Sequence, residues 1–151
     1  MAYPTAASRE ISAPAEKVWA LVSDLPRMGE WSPENQGGKW AKGATGPATG
    51  AVFMGRNKNG VRRWGTKATV VDCQPGKAFE IAITSGPIAV SNWRYDFEDT
   101  PGGCRVTESW RDNRSSWFTT VSRMMGDHSA GHAEQEMTAT LANLAKSAEN
   151  D

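Results

Sequence analysis

The segment DHSAGHAEQEMTATLANLAKSA, residues 127–148, decides the fold. Its apolar residues recur at steps of three and four, as they do along one face of an α-helix: Ala130, Ala133, Met137, Leu141, Leu144 and Ala148. Gly126 precedes this pattern and Asp127 suits the N-cap of a helix, so we predict that the helix begins at Asp127. Its apolar face must pack against a second apolar surface.

That second surface is predicted to be a β-sheet. Residues 35–112 contain six runs of strand length. The turn signals that separate them are Gly37-Gly38, Gly43 to Gly50, Asn59-Gly60, Pro75-Gly76, Gly86-Pro87 and Pro101-Gly102-Gly103. A first strand at residues 5–11, a helix at residues 14–23 and a helical turn within residues 27–34 precede them. The simplest arrangement is an α+β fold in which a curved antiparallel sheet of seven strands holds the last helix. A helix held in this way leaves a cavity against the sheet.

The composition limits the class of protein. With 151 residues the chain can bury one hydrophobic core, so we predict a single domain over residues 1–151. Seventeen basic and seventeen acidic side chains give zero net charge, which supplies no electrostatic argument for nucleic acid or an anionic membrane as a partner. No apolar run indicates a membrane span, and the first residues lack a signal-peptide pattern, so we expect a cytoplasmic protein.

Cysteine and histidine are too few for a convincing metal centre. Cys73 and Cys104 belong to different predicted strands and are expected to stay reduced. His128 and His132 are four residues apart, which is the spacing of a metal-binding pair on a helix. Their face lies away from the apolar stripe, so we expect them at the surface. We therefore predict no metal site and no cofactor.

Tryptophan is unusually frequent. The seven are Trp19, Trp31, Trp40, Trp64, Trp93, Trp110 and Trp117. Such rings are large apolar surfaces with one hydrogen-bond donor each, so they either fill the core of a small sheet protein or form flat walls around a ligand. The two interpretations are compatible.

Asn59-Gly60 is the strongest turn signal, because a type I′ turn needs two positive φ angles and this pair supplies them. If the pair closes a hairpin, Phe53 lies opposite Thr66 and Gly55 opposite Trp64. Asn57 then lies opposite Arg62. The Trp64 ring would cover Gly55, which has no side chain of its own.

Alternation assigns the inner face of the later strands. Its apolar members are Phe79, Ile81, Ile83, Trp93, Tyr95, Phe97, Val106 and Trp110. Four polar groups interrupt this face, namely Asn57, Thr66, Glu108 and the hydroxyl of Tyr95.

Glu108 is the main candidate for chemistry, because its parity directs a carboxylate into an apolar interior. Tyr95 comes within reach if Pro101-Gly102 centres the hairpin, and Arg62 or Asn57 could approach from the rim. A buried carboxylate of raised pKa is a candidate general base for enolisation or aldol chemistry. The alternative is a paired structural carboxylate at the mouth of the sheet.

Residues 117–125 form a second candidate feature. Their apolar members predict a short helix: Trp117, Phe118, Val121, Met124 and Met125. It would either cover the cavity as a lid hinged at Gly126, with His128 at the entrance, or pack into the core. Arg27, Met28, Glu30 and Trp31 are expected to close the same end.

Several stretches resemble a known family. They are residues 10–19, 22–24, 28–34, 50–57, 93–97, 103–110 and 137–141, and in this order they resemble short polyketide cyclase/dehydrase-like members of the SRPBCC superfamily. The resemblance covers nearly the whole chain and implies a START-like helix-grip fold with a deep hydrophobic cavity. It assigns no catalytic residue, since the superfamily includes lipid carriers, hormone receptors and aromatase/cyclases.

Three hypotheses follow. The leading one is a protein that binds, and transports, a small hydrophobic, lipid-like or aromatic molecule. The predicted ligand-binding residues are Phe53, Asn57, Trp64, Thr66, Ile81, Trp93, Tyr95, Glu108, Trp110, Met125 and His128. The second is a cyclase, aromatase or dehydratase that uses the same cavity, with Glu108 or Tyr95 as acid or base. The third is an interaction module with a filled cavity and an exposed apolar face.

Overall fold

The computed structural model describes residues 5–32, 35–114 and 130–150, without the side chains of Asn59, Arg62 and residues 130–132. These residues form seven strands, two α-helices and one 3₁₀ helix. In chain order they are β1 (Thr5–Ile11), α1 (Ala15–Ser23), the 3₁₀ helix (Leu25–Glu30), β2 (Asn35–Ala41), β3 (Val52–Asn59), β4 (Arg62–Gln74), β5 (Ala78–Ser85), β6 (Ile88–Thr100), β7 (Gly103–Asp112) and α2 (Ala130–Glu149).

All seven strands belong to one antiparallel sheet in the order β1-β7-β6-β5-β4-β3-β2. Strands β2 to β7 pair with their neighbours in sequence, and β1 closes the far edge by pairing with β7. The curved sheet and the C-terminal helix confirm the predicted helix-grip architecture. Among the described residues, no helix is both long enough and apolar enough to cross a membrane.

Helix α2 packs on the sheet through the predicted apolar stripe. Its buried apolar side chains are Ala133, Met137, Leu141, Leu144, Ala145 and Ala148. Burying a side chain the size of leucine or methionine contributes about 1.5–3 kcal/mol, so this face holds the helix in place. The predicted start at Asp127 and the side chains of Ala130 and His132 lie outside the described part of the chain.

The β3–β4 hairpin differs from the prediction by two residues. Asn59 pairs with Arg62, so Gly60 and Val61 form the turn, and Gly60 carries the positive φ of 63°. Glycine at the first central position is the pattern of a type II′ turn, not of type I′. Gly55 consequently lies opposite Thr66, and the predicted cover of Gly55 by the Trp64 ring is wrong.

The segment after α1 also differs from the helical turn predicted within residues 27–34. The helical turn spans Leu25–Glu30 and is a 3₁₀ helix. Trp31 follows it and is 1% exposed, so its ring belongs to the core. The Asn143 side chain of α2 donates to the Trp31 carbonyl at 3.0 Å, which ties this segment to the long helix.

Candidate functional site

A cavity of about 300 Å³ lies between the inner face of the sheet and α2. Strands β3 to β7 form its walls, and Ala133, Glu136 and Thr140 of α2 form the opposite side. Leu25 and Met28 contribute from the 3₁₀ helix. The volume is at the lower end of the range for ligand pockets, so the space suits a compact molecule.

Nine of the predicted ligand-binding residues line this cavity. They are Phe53, Asn57, Trp64, Thr66, Ile81, Trp93, Tyr95, Glu108 and Trp110. Met125, His128 and the predicted lid at residues 117–125 lie outside the described residues. Of the group predicted to close the same end, Met28 lines the cavity, whereas Arg27 and Glu30 form an exposed ion pair at 2.8 Å. Whether the nine residues bind a ligand stays a prediction.

The aromatic walls consist of paired rings. Trp93 and Trp110 lie opposite each other on β6 and β7, with ring centroids 6.2 Å apart and an interplanar angle of 50°. Phe53 meets Trp40 edge to face with centroids 5.5 Å apart. Trp19, by contrast, packs edge to face on Phe79 in the core. Among the described tryptophans, Trp93 and Trp110 thus belong to the cavity wall, whereas Trp19 packs against the core.

Glu108 and Tyr95 form the buried polar pair of the cavity. They are direct cross-strand neighbours, because Thr100 pairs with Gly103 and the register follows from that hairpin. The Tyr95 hydroxyl donates to Glu108 Oε2 at 2.8 Å. Both residues are buried, at 4% and 3% exposure. Among the described residues, no group hydrogen-bonds to Glu108 Oε1.

Burial controls the protonation of this pair. It raises the pKa of Glu108 from 4.5 to about 8; the hydrogen bond from Tyr95 opposes the rise, and the negative charge of Glu136 adds to it. Burial likewise raises the pKa of Tyr95 well above its ordinary value, with Glu108 and then Glu136 adding to the effect. At neutral pH both groups therefore hold their protons.

The sheet contains a second, contrasting buried glutamate. Glu80 faces the outer side of β5, where its carboxylate accepts hydrogen bonds from Asn92 at 2.6 Å and from Arg94 at 3.0 Å. The same guanidinium pairs with Asp72 and Asp96. Glu80 therefore has the partners that a buried charge requires, whereas Glu108 has a neutral phenol.

The other predicted partners of Glu108 are engaged elsewhere or not described. Asn57 donates to the Thr66 hydroxyl at 3.1 Å, so these two polar insertions satisfy each other. The side chain of Arg62 is not described. Of the two predicted partners whose side chains are described, Tyr95 lies against Glu108 and Asn57 does not.

Sequence reasoning missed several polar residues of the cavity. Glu136 and Thr140 are one helical turn apart on α2, and this spacing beside the Ala133 position was the signal that could have found them. Arg114 follows β7 and is held by Asp112 through two bonds of 2.9 Å. No sequence pattern marked Arg114, because its position depends on how the chain leaves the sheet.

The comparison with protein families matches residues 5–149 to the family described as polyketide cyclase/dehydrase and lipid transport. The chain belongs to this family. The SRPBCC resemblance of the sequence is thereby confirmed. A comparison with curated protein sequences finds no match.

Several solved structures have a similar fold. A polyketide cyclase-like protein of Corynebacterium glutamicum is 32% identical, with a TM-score of 0.54 over 93% of this chain and 83% of that one. Major latex-like protein 151 of Panax ginseng is 10% identical, with a TM-score of 0.69 and 95% of both chains covered. The di-domain ARO/CYC StfQ from the steffimycin biosynthetic pathway is 11% identical, with a TM-score of 0.70 over 96% of this chain and 49% of its own.

Proposed function

We propose that the protein binds and carries a small hydrophobic, lipid-like or aromatic molecule in the cavity between the sheet and α2. The observation that supports this function is the cavity of about 300 Å³ with tryptophan, tyrosine and phenylalanine in its walls. Side chains of this size fill a core when no ligand is needed, because empty volume costs stability. A cavity that large side chains leave open therefore supports the binding of a ligand.

An interaction module is the less favoured alternative. That hypothesis requires a filled core and a continuous apolar patch outside. The large apolar side chains exposed among the described residues are Met54, Val61, Val71 and Ile88, on three different strands and one hairpin tip. Scattered single residues are normal on a protein surface and need no partner.

The first experiment is mass spectrometry of the purified protein, under native conditions and after solvent extraction. A carrier is expected to retain a defined apolar molecule. Titration of the ligand-free protein with a panel of apolar compounds then gives affinities, because tryptophans in the wall report occupancy through their fluorescence. If no compound in the panel changes the emission or the melting temperature, the proposal is wrong.

A cavity-filling variant locates the binding site. Gly55 lines the cavity, and a Cβ there would meet Thr66 Oγ1 at 3.4 Å and the Phe53 ring at 3.5 Å, which are tolerable contacts. Gly55→Leu is therefore expected to fold and to fill part of the space. Gly65→Leu is the matched control, because Gly65 is exposed on the adjoining strand and faces the other side. Loss of binding in both variants, or in neither, contradicts a site in the cavity.

The second candidate function is an enzyme of cyclase, aromatase or dehydratase type. The observation that favours it is the pair of Tyr95 and Glu108, with a carboxyl pKa of about 8 that suits proton transfer near neutral pH. Glu108→Gln is then expected to abolish turnover while ligand affinity stays within a few fold. Turnover that survives this substitution excludes Glu108 as the acid or base.

A further inference from the structure

One buried polar atom of the cavity region has no hydrogen-bond partner among the described residues. Glu108 Oε1 is buried and accepts or donates no hydrogen bond to any of the described residues. Buried polar atoms in native proteins are nearly always bonded, and an unmade bond costs about 1–3 kcal/mol. Because Glu108 lines the cavity, a bound molecule is placed to supply what is missing.

The chemistry of the missing partner follows from the proton positions. Tyr95 donates to Oε2, so Oε2 acts as the acceptor oxygen of the carboxyl group. Burial raises the pKa of Glu108 to about 8, so at neutral pH the carboxyl group holds a proton. With Oε2 accepting, that proton belongs on Oε1, which makes Oε1 a donor. The missing partner is therefore a hydrogen-bond acceptor.

We propose that Glu108, positioned by Tyr95, selects uncharged, ring-bearing ligands that present a hydrogen-bond acceptor such as a ketone carbonyl. This inference rests on the proposed function, since it names the class of molecule that the cavity takes. Glu108 binds the ligand directly in this account, and Tyr95 is the positioning residue.

The charges around the cavity oppose an ionised ligand. Glu136 contributes a second carboxylate, close enough to raise the pKa of Glu108. Among the described residues of the wall, the cationic side chain is Arg114, which is 5% exposed and bonds to both carboxylate oxygens of Asp112. An anion placed at Glu108 would be desolvated beside a carboxylate. A cation at Glu108 has no lone pair to accept the proton of the carboxyl group, and burial disfavours the ionised form that would bind a cation.

The neighbouring side chains favour a flat molecule. Trp93 and Trp110 pair two residues along the strands from Tyr95 and Glu108, on the same face of the sheet. Their rings are tilted by 50° and both line the cavity. A ring that packs against these indoles places its substituent next to the carboxyl group.

The carboxyl group can turn to meet that substituent. Oε1 is enclosed by its surroundings, so contact with a ligand requires a partial rotation of the terminal torsion of Glu108. This torsion is broad and roughly two-fold in glutamate, so rotation costs little. The bond from Tyr95 limits the rotation and holds the group at the cavity wall.

Three naphthalene derivatives test the proposal, because they share one ring system and differ at one substituent. They are 2-acetylnaphthalene, 2-isopropylnaphthalene and 2-naphthoate, and their affinities are measured by isothermal titration calorimetry at pH 6.5. The ketone is expected to bind about tenfold more tightly than the hydrocarbon, which is the effect of one net hydrogen bond. The carboxylate is expected to bind most weakly.

Two substitutions separate the hydrogen bond from the shape of the site. Glu108→Gln keeps a donor at this position and is expected to keep the preference for the ketone. Glu108→Leu removes the donor and is expected to give equal affinities for the ketone and the hydrocarbon. Glu98→Leu is the control, since Glu98 is exposed on the outer face of β6 and faces away from the cavity. The wild-type ranking tests the proposal even if Glu108→Leu does not fold.

The outcomes distinguish this inference from the proposed function. Equal binding of all three probes, tightest binding of 2-naphthoate, or a ketone preference that survives Glu108→Leu overturns the role of Glu108 and leaves the binding function standing. If none of the three probes binds, both the inference and the binding of ring-bearing ligands are overturned.

Discussion

Glu108→Gln should change how the stability of the protein depends on pH. The carboxyl group has a pKa of about 8 in the folded protein and an ordinary value of 4.5 when unfolded. Below pH 4.5 both states are protonated, and the group costs nothing. As the pH rises, the unfolded chain ionises first, so the free energy of unfolding falls until the folded protein ionises as well.

The magnitude follows from the two pKa values. Each pKa unit corresponds to about 1.4 kcal/mol, so the wild-type protein is expected to lose about 3 kcal/mol between pH 5 and pH 7 through this group alone. The full loss above pH 8 approaches about 5 kcal/mol. Glutamine does not ionise, so Glu108→Gln loses none of this stability and differs from wild type by an amount that changes with pH.

Urea unfolding at pH 5, 6, 7 and 8, followed by tryptophan fluorescence at constant ionic strength, measures this difference. Glu98→Gln is the control, because it removes an exposed carboxylate from the outer face of β6 and keeps Glu108. Its stability is expected to follow the wild-type slope. A wild-type curve that runs parallel to that of Glu108→Gln would show that Glu108 is ionised in the folded protein, and the argument from burial would be refuted.

Three further substitutions test other features of the fold. Tyr95→Phe removes the hydrogen bond that lowers the pKa of Glu108, so the pH-dependent loss of stability should extend to higher pH in the same titration. Leu144→Ala removes a side chain that is 0% exposed and should lower the free energy of unfolding by about 3 kcal/mol in urea. Gly38→Ala should destabilise by about 1–3 kcal/mol in the same assay, because Gly38 has a φ of 154° at a bulge and a Cβ would collide with the Met54 carbonyl.

Alternation along the strands correctly predicted which side chains face inward, whereas the Asn59-Gly60 turn signal gave the wrong β3–β4 register. The turn is centred on Gly60-Val61, so the β3–β4 pairing is displaced by two residues from the prediction. A shift of two preserves which side chains point inward. Phe53, Asn57 and Thr66 therefore line the cavity as predicted, although each has a different partner across the hairpin.

The pairing of Tyr95 with Glu108 was accessible from the sequence because two independent signals agree. Alternation directed both side chains inward, and the turn at Pro101-Gly102 brought them to the same level of the sheet. The contribution of Arg114 was not accessible, because it depends on the path after β7, which no local pattern encodes. The spacing of Glu136 and Thr140 placed them on one face of α2, but their contact with the cavity depends on how α2 crosses the sheet.

The pairing of β1 with β7 affects the order in which parts of the protein fold. Strands β3 to β7 join through turns of two or three residues, and β2 joins β3 through residues 42–51. By contrast, β1 pairs with β7 across about a hundred residues, as between Ser8 and Thr107, and the Ser12 backbone N–H donates to Glu149 of α2. Long loops close at a greater cost in entropy, so we expect β1 and α2 to dock after the meander has formed. The cavity, which needs α2, is then absent from the rate-limiting transition state. A bound ligand should slow unfolding in proportion to its affinity and leave the refolding rate unchanged, which stopped-flow measurements with and without ligand can determine.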